Sequence, residues 1–191
     1  DNIEFFKGET LIETDLNNLT VAISKDIAYD YQTDNPPFDQ LHVLTAANGY
    51  HYTAHSFVNG HRKSENIIPG FDLLILDCDG DVKMSTVKVL LEDYTFLMST
   101  TKRHTKEVNR FRLILPLSHR LKLSTYDYSR FMRNVFDWLP FPVDEAAKDI
   151  SRKWASYPGK YEYNQGNVLD ATLFIPETKK SDEIKAKFTA T

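Results

Sequence analysis

The sequence is short of several things at once, and each shortage removes a class of protein. Its one cysteine, Cys78, allows no intramolecular disulfide and no cysteine-based zinc site, and fits a reducing interior. Seven glycines and eight prolines are too few for a collagenous or Gly/Pro-rich disordered chain. No stretch approaches the roughly 18 consecutive apolar residues of a membrane helix. The opening Asp1-Asn2-Ile3-Glu4-Phe5-Phe6 lacks the basic start of a signal peptide. A cytoplasmic protein with no membrane partner is expected. There is no internal repeat and no low-complexity block.

What is present belongs to a folded, soluble chain: 41% hydrophobic, 13% aromatic and 26% charged over 191 residues, enough to bury a sizeable core. The net charge of −4 hides an asymmetry. Residues 1–101 carry six Lys/Arg against sixteen Asp/Glu, a net of −10, and residues 102–191 carry seventeen against eleven, a net of +6. The distribution, not the total, therefore bears on any polyanionic partner. One domain is expected over 1–176, with a less legible part at 1–68 and an informative core at 69–176. A polar, lysine-rich tail or linker follows at 177–191. With no initial Met, the chain reads as a piece of a longer protein.

Periodicity predicts the elements. Leu19–Ser24 and His42–Ala46 have β-like composition, and the almost unbroken apolar run Phe71–Leu76 reads as a buried central strand. Ser85–Asp93 reads as a short helix with Ser85 as its N-cap, and Tyr94–Ser99 and Arg110–Leu117 as further strands. Ser124-Thr125-Tyr126-Asp127 has the form of a capping box opening an amphipathic helix that ends near Pro140. Glu145–Asp149 forms a turn, and a last strand is expected at Val168–Ile175. The mixture predicts an α/β or α+β layered domain with a mixed sheet.

Three segments carry the chemistry. Asp77-Cys78-Asp79 directly follows the buried run, and a strand continued through residue 79 sets both carboxylates on one face, roughly 6–7 Å apart. Such a pair can share divalent cations and repels itself without them. The blander reading is a solvated acidic turn. Next comes Ser99-Thr100-Thr101-Lys102-Arg103-His104-Thr105, leading into Asn109–Pro116, where alternation sets Arg110 and Arg112 on one face and Phe111, Leu113 and Leu115 on the other. Residues 102–122 hold seven Lys/Arg and one acid, Glu107, a composition suited to phosphate or to a plain solubility face. The third is Val143-Asp144, reached through Leu139-Pro140-Phe141-Pro142 and followed by Asp149-Ile150-Ser151-Arg152-Lys153. Asp144 is preferred as a third metal carboxylate, and Asp149 as the cap of a short turn.

Together these segments resemble the archaeo-eukaryotic primase superfamily, especially the primase-polymerase domains of phage and plasmid replication proteins. The matching residues are Leu73-Leu74-Ile75-Leu76-Asp77-Cys78-Asp79, Lys102-Arg103-His104 and Phe141-Pro142-Val143-Asp144, with Asn109–Leu117 and Asp149-Ile150-Ser151-Arg152 similar to the phage-type branch. The resemblance covers residues 71–160 and departs at Lys102, where the family usually has serine. It implies an RRM-like sheet flanked by helices. It also implies a nucleotidyltransferase that makes or extends a nucleic-acid chain from NTPs or dNTPs on a single-stranded DNA template. Asp77, Asp79 and Asp144 would hold two Mg²⁺ or Mn²⁺ ions, with His104 on the incoming triphosphate. Lys102, Arg103, Arg110, Arg112, Arg152 and Lys153, and more weakly Arg62 and Lys63, would hold phosphates. A helicase, fused or separate, is an implied partner, and the implied source is a phage or plasmid.

Two other readings compete. Leu76-Asp77-Cys78-Asp79-Gly80, with Phe96–Thr100, is also similar to motifs of haloacid-dehalogenase-type phosphatases, in which Asp77 would be a nucleophile and Asp79 a general acid. The motif lies 76 residues into the chain, Asp81 stands where Thr or Val is expected, and no late acidic pair follows. A non-catalytic nucleic-acid-binding module of a replication initiator would leave the Asp77/Asp79 pair without a purpose.

Overall fold

The structure, a computed structural model, describes residues 3–5 and 9–176, with side chains from Leu11 onward. In chain order the strands are β1 (Ile3–Phe5), β2 (Glu9–Glu13), β3 (Val21–Ser24), β4 (Gln32–Asp34), β5 (His51–Thr53), β6 (Ser56–Phe57), β7 (Ile67–Ile68), β8 (Phe71–Asp79), β9 (Phe96–Thr100), β10 (Arg110–Leu121), β11 (Lys153–Ala155) and β12 (Tyr161–Asn164). The α-helices are α1 (His42–Thr45), α2 (Met84–Leu90) and α3 (Thr125–Trp138). This is an α+β chain, and among the described residues the strand pairings are all antiparallel, not mixed as expected. Among the described residues, parallel contact is confined to the isolated bridges Tyr94↔Asn167 and Leu117↔Leu169.

The twelve-residue β10 organises the larger, six-stranded sheet. Along its length β10 pairs with β8 and β9 and, further on, with β2; β12 adds beyond β9 and β1 beyond β2. β8 and β10 read as near-continuous apolar runs because both faces are covered: Leu74, Ile75, Leu76, Leu113, Ile114 and Leu115 are all buried. A smaller sheet, in the order β11-β5-β3-β4, lies against the larger one. From it the Tyr52 hydroxyl on β5 and the Ala155 carbonyl on β11 both accept hydrogen bonds from Arg112 of β10, at 3.0 and 2.7 Å.

The capping box behaves as its residues dictate: Ser124 Oγ accepts from the Asp127 amide at 3.1 Å, and α3 ends with Leu139 before Pro140. Its buried face meets the start of β8 through Phe131 and Phe71, with ring centroids 5.5 Å apart. Three local expectations are corrected. His42–Thr45 is a helix, not a strand. Its one turn stacks onto the 3-10 turn Phe38–Gln40, with the Leu44 and Thr45 amides both donating to Leu41 O. Helix α2 begins at Met84 with Lys83 as N-cap, and its first amide is satisfied from a distance by Asn109 Oδ1 at 2.9 Å, which leaves no capping role for Ser85. Val168–Ile175 forms no strand; Leu169 makes a single bridge to Leu117, and Asp170 caps a 3-10 turn over Ala171–Leu173.

Among the described residues, no helix is long and apolar enough to cross a membrane.

Candidate functional site

β8 continues through Asp79, and its register against β10 places Asp77 opposite Arg112 and Asp79 opposite Arg110. Two acid–arginine rows therefore cross one face of the sheet. Cys78 faces the other way and is buried, and burial together with Asp77, Asp79 and Asp81 pushes its thiol up to about 12, so it is an inert packing residue. Gly80 follows at φ +99°, a left-handed conformation that suits glycine and turns the chain away once Asp79 is placed.

The two rows differ in depth. Asp77 Oδ1 lies 2.8 Å from Arg112 Nε, with side chains 13% and 10% exposed. Burial works against the Arg112 charge, but Tyr52 and Asp77 outweigh it and hold the group firmly protonated. Arg112 thus serves both sheets, and Asp77 is oriented by it. Asp79 is exposed, and Arg110 reaches its carbonyl at 3.4 Å. Burial, then the charges of Asp77 and Asp144, push the Asp79 carboxyl above its usual value. Asp144 belongs to the same corner. Its amide donates to the Asp77 carbonyl at 2.9 Å, its Oδ1 caps the turn Glu145–Lys148 through the Ala146 amide, and its Oδ2 lies 3.6 Å from Arg152. Asp149 accepts from the amide and hydroxyl of Ser151.

The structure thus brings Asp77, Asp79 and Asp144 together as electrostatic neighbours. Their fit to divalent ions rests on the donor set: hard carboxylate oxygens, one destabilised by the other two, a repulsion that a cation relieves. Among the described residues, no group of three or more His, Cys, Asp or Glu is arranged to hold a metal ion, because Asp77 is turned to Arg112 and Asp144 to its own turn.

Cationic groups flank the acids on two sides. On one, Arg62, Arg152 and Lys153 gather with His51. Lys153 Nζ lies 3.1 Å from His51 Nδ1, and burial, then Arg62, Arg152 and Arg112, lower the lysine's pKa. Arg62 spends donors on the carbonyls of Ile27 and Ser151, which makes it partly a strut; Lys63 is exposed. On the other side, His104 accepts the Arg110 amide on Nδ1 at 3.0 Å, so its neutral ring carries its proton on Nε2. His104 lines an open cavity of about 840 Å³ with Lys83, Lys102, Lys106, Lys160 and Ser85, and no carboxylate is in its lining. Arg103 is exposed and outside that lining. Lys83, Lys160 and Tyr52 carried no local signal in the sequence, since each joins its cluster only through tertiary contact. Lys106 lay within the basic run without marking itself out.

The fold and site define a class: an α+β domain whose main sheet presents crossed acid–arginine rows beside a lysine-lined cavity. The family model of the VapE N-terminal domain matches residues 51–172, a span that includes every residue of those rows, and the chain belongs to that family, a domain associated with phage and plasmid replication. No curated protein and no solved structure matches the chain.

Proposed function

We propose that the domain is a template-directed nucleotidyltransferase, a primase or polymerase acting in phage or plasmid replication. The observation that carries this reading is the juxtaposition of Asp77, Asp79 and Asp144 at one strand end, with His104 hydrogen-bonded to the backbone of Arg110, the cross-strand neighbour of Asp79. Asp77, Asp79 and Asp144 would hold Mg²⁺ or Mn²⁺, which when bound supplies charge neutralisation for the entering triphosphate and the departing pyrophosphate. The chain's own groups do the positioning. Arg112 holds Asp77 in place; His104 Nε2–H and the lysines of the cavity bind the triphosphate tail. Arg152 and Lys153 contact backbone phosphates of template or primer.

The experiment is titration of a nucleoside triphosphate into the wild type, Lys102→Ala and His104→Ala. Loss of one charge-assisted contact predicts affinity weaker by about tenfold or more, with single-stranded oligonucleotide binding retained. Unchanged nucleotide affinity in both variants contradicts the assignment of the cavity. Template-independent release of phosphate from a generic ester would instead support the phosphatase reading, which needs an Asp77 carboxylate free to attack rather than one paired with Arg112.

A further inference from the structure

Tyr161 opens β12, the outermost strand beyond β9 in the larger sheet, and is 48% exposed. Its ring is not loose. His42 of α1 stacks on it with ring centroids 4.2 Å apart and planes within 22°. His42 is itself fixed: the Tyr163 hydroxyl lies 2.9 Å from both its amide and its Nδ1, and Phe38 packs edge-on against Tyr163. A large aromatic face is therefore held rigid at the surface by the half-buried His42 and Tyr163 and the buried Phe38 behind it, and a rigid face loses little entropy when a partner stacks on it. The residue before it, Lys160, belongs to the lysine-lined cavity, as does Tyr157. An aromatic platform directly beside a lysine, Lys160, is the combination that single-stranded nucleic acid requires, a base on the ring and a backbone phosphate on the ammonium.

We infer that Tyr161, backed by His42, is a stacking platform for a base of single-stranded nucleic acid. The inference rests on the proposed nucleotidyl-transfer reading for its biological context and names the strand-binding surface of that site. The occupant is a strand and not the incoming nucleotide for a geometric reason. Register sets Tyr161, Ser99, Arg112 and Asp77 in one row across β12, β9, β10 and β8. Between the platform and the acid lie Ser99, 2% exposed, and Arg112, 8% exposed and covered by Tyr52. A nucleotide whose sugar and reacting α-phosphate lie at the acids cannot lay its base across that filled row. A strand running over the molecule's surface past Lys160 can.

The test is fluorescence anisotropy with labelled oligothymidylate and with an abasic oligonucleotide of the same length, using wild type, Tyr161→Ala and Tyr161→Phe. Tyr161→Ala is expected to weaken oligothymidylate binding by at least about fivefold. Tyr161→Phe should bind as the wild type does, and the abasic strand should bind both variants and wild type equally. Nucleoside triphosphate affinity should be the same in all three. Equal oligothymidylate binding by Tyr161→Ala and wild type overturns the platform. A loss confined to nucleotide binding also overturns it, by showing that the base comes from the substrate. Wild type that binds the strand through Tyr161 yet makes no polymer would sink the catalytic reading and leave the platform standing.

Discussion

At the scale of single residues, Asp77 and Asp79 show how far a period of two carries. Their shared face and that of Arg110 and Arg112 were legible because strand alternation needs only local sequence. That the two pairs oppose each other across β8 and β10 was not, because register is set by the partner strand. Nor was the locking of Arg112 by Tyr52, a residue sixty positions away. His55 illustrates a side chain with no sequence signal at all. It is 1% exposed, both ring nitrogens lack partners, and it packs against Phe71 and Tyr128. Burial, helped by Arg120, lowers its pKa from 6.5 to about 3. Below pH 6.5 the unfolded chain takes up a proton that the folded chain refuses, so stability falls as pH drops from 6.5 towards 3. His55→Phe should therefore keep its stability at neutral pH, having no hydrogen bond to lose, and flatten the acid limb of a melting-temperature profile. An unchanged limb would contradict the assignment.

At the scale of elements, α3, β8 and β10 were legible because each carries its own signal: a capping box with helical spacing, or a long apolar run. The elements misread are those whose ends depend on distant partners. His42–Thr45 has strand-like residues but only one turn of chain, and its place is decided by stacking on Tyr161 and Tyr163. Helix α2 takes its cap from Asn109 rather than from Ser85. Asn109 does double duty, because its Nδ2 also donates to the carbonyls of Thr105 and Lys106 in the loop that carries His104. Asn109→Ala should cost about 0.5–2 kcal/mol in chemical denaturation, the range for a lost cap. It should also raise hydrogen exchange in both α2 and residues 101–109, although the two are separate in sequence. Faster exchange in only one of them would show that Asn109 does not couple them.

At the scale of the whole molecule, the division at residue 101 acquires a physical meaning. The acidic half supplies Asp77 and Asp79 on β8, the basic half supplies Arg110 and Arg112 on β10, and the two halves meet along that strand pair. Charge of one sign along the chain becomes charge of both signs across one sheet face, with lysines gathered at its end. The smaller sheet that covers this face was not legible, since its strands are only three or four residues long and drawn from residues 21–53 and 153–155, too short and too dispersed for periodicity to register. The central claim, that this face transfers nucleotidyl groups, is tested most directly by extension of a labelled primer on a single-stranded template with Mg²⁺ or Mn²⁺, comparing wild type with Asp77→Ala/Asp79→Ala. Template-dependent labelled product from the wild type and none from the double variant is the predicted result; product from both proteins, or from neither, would contradict it.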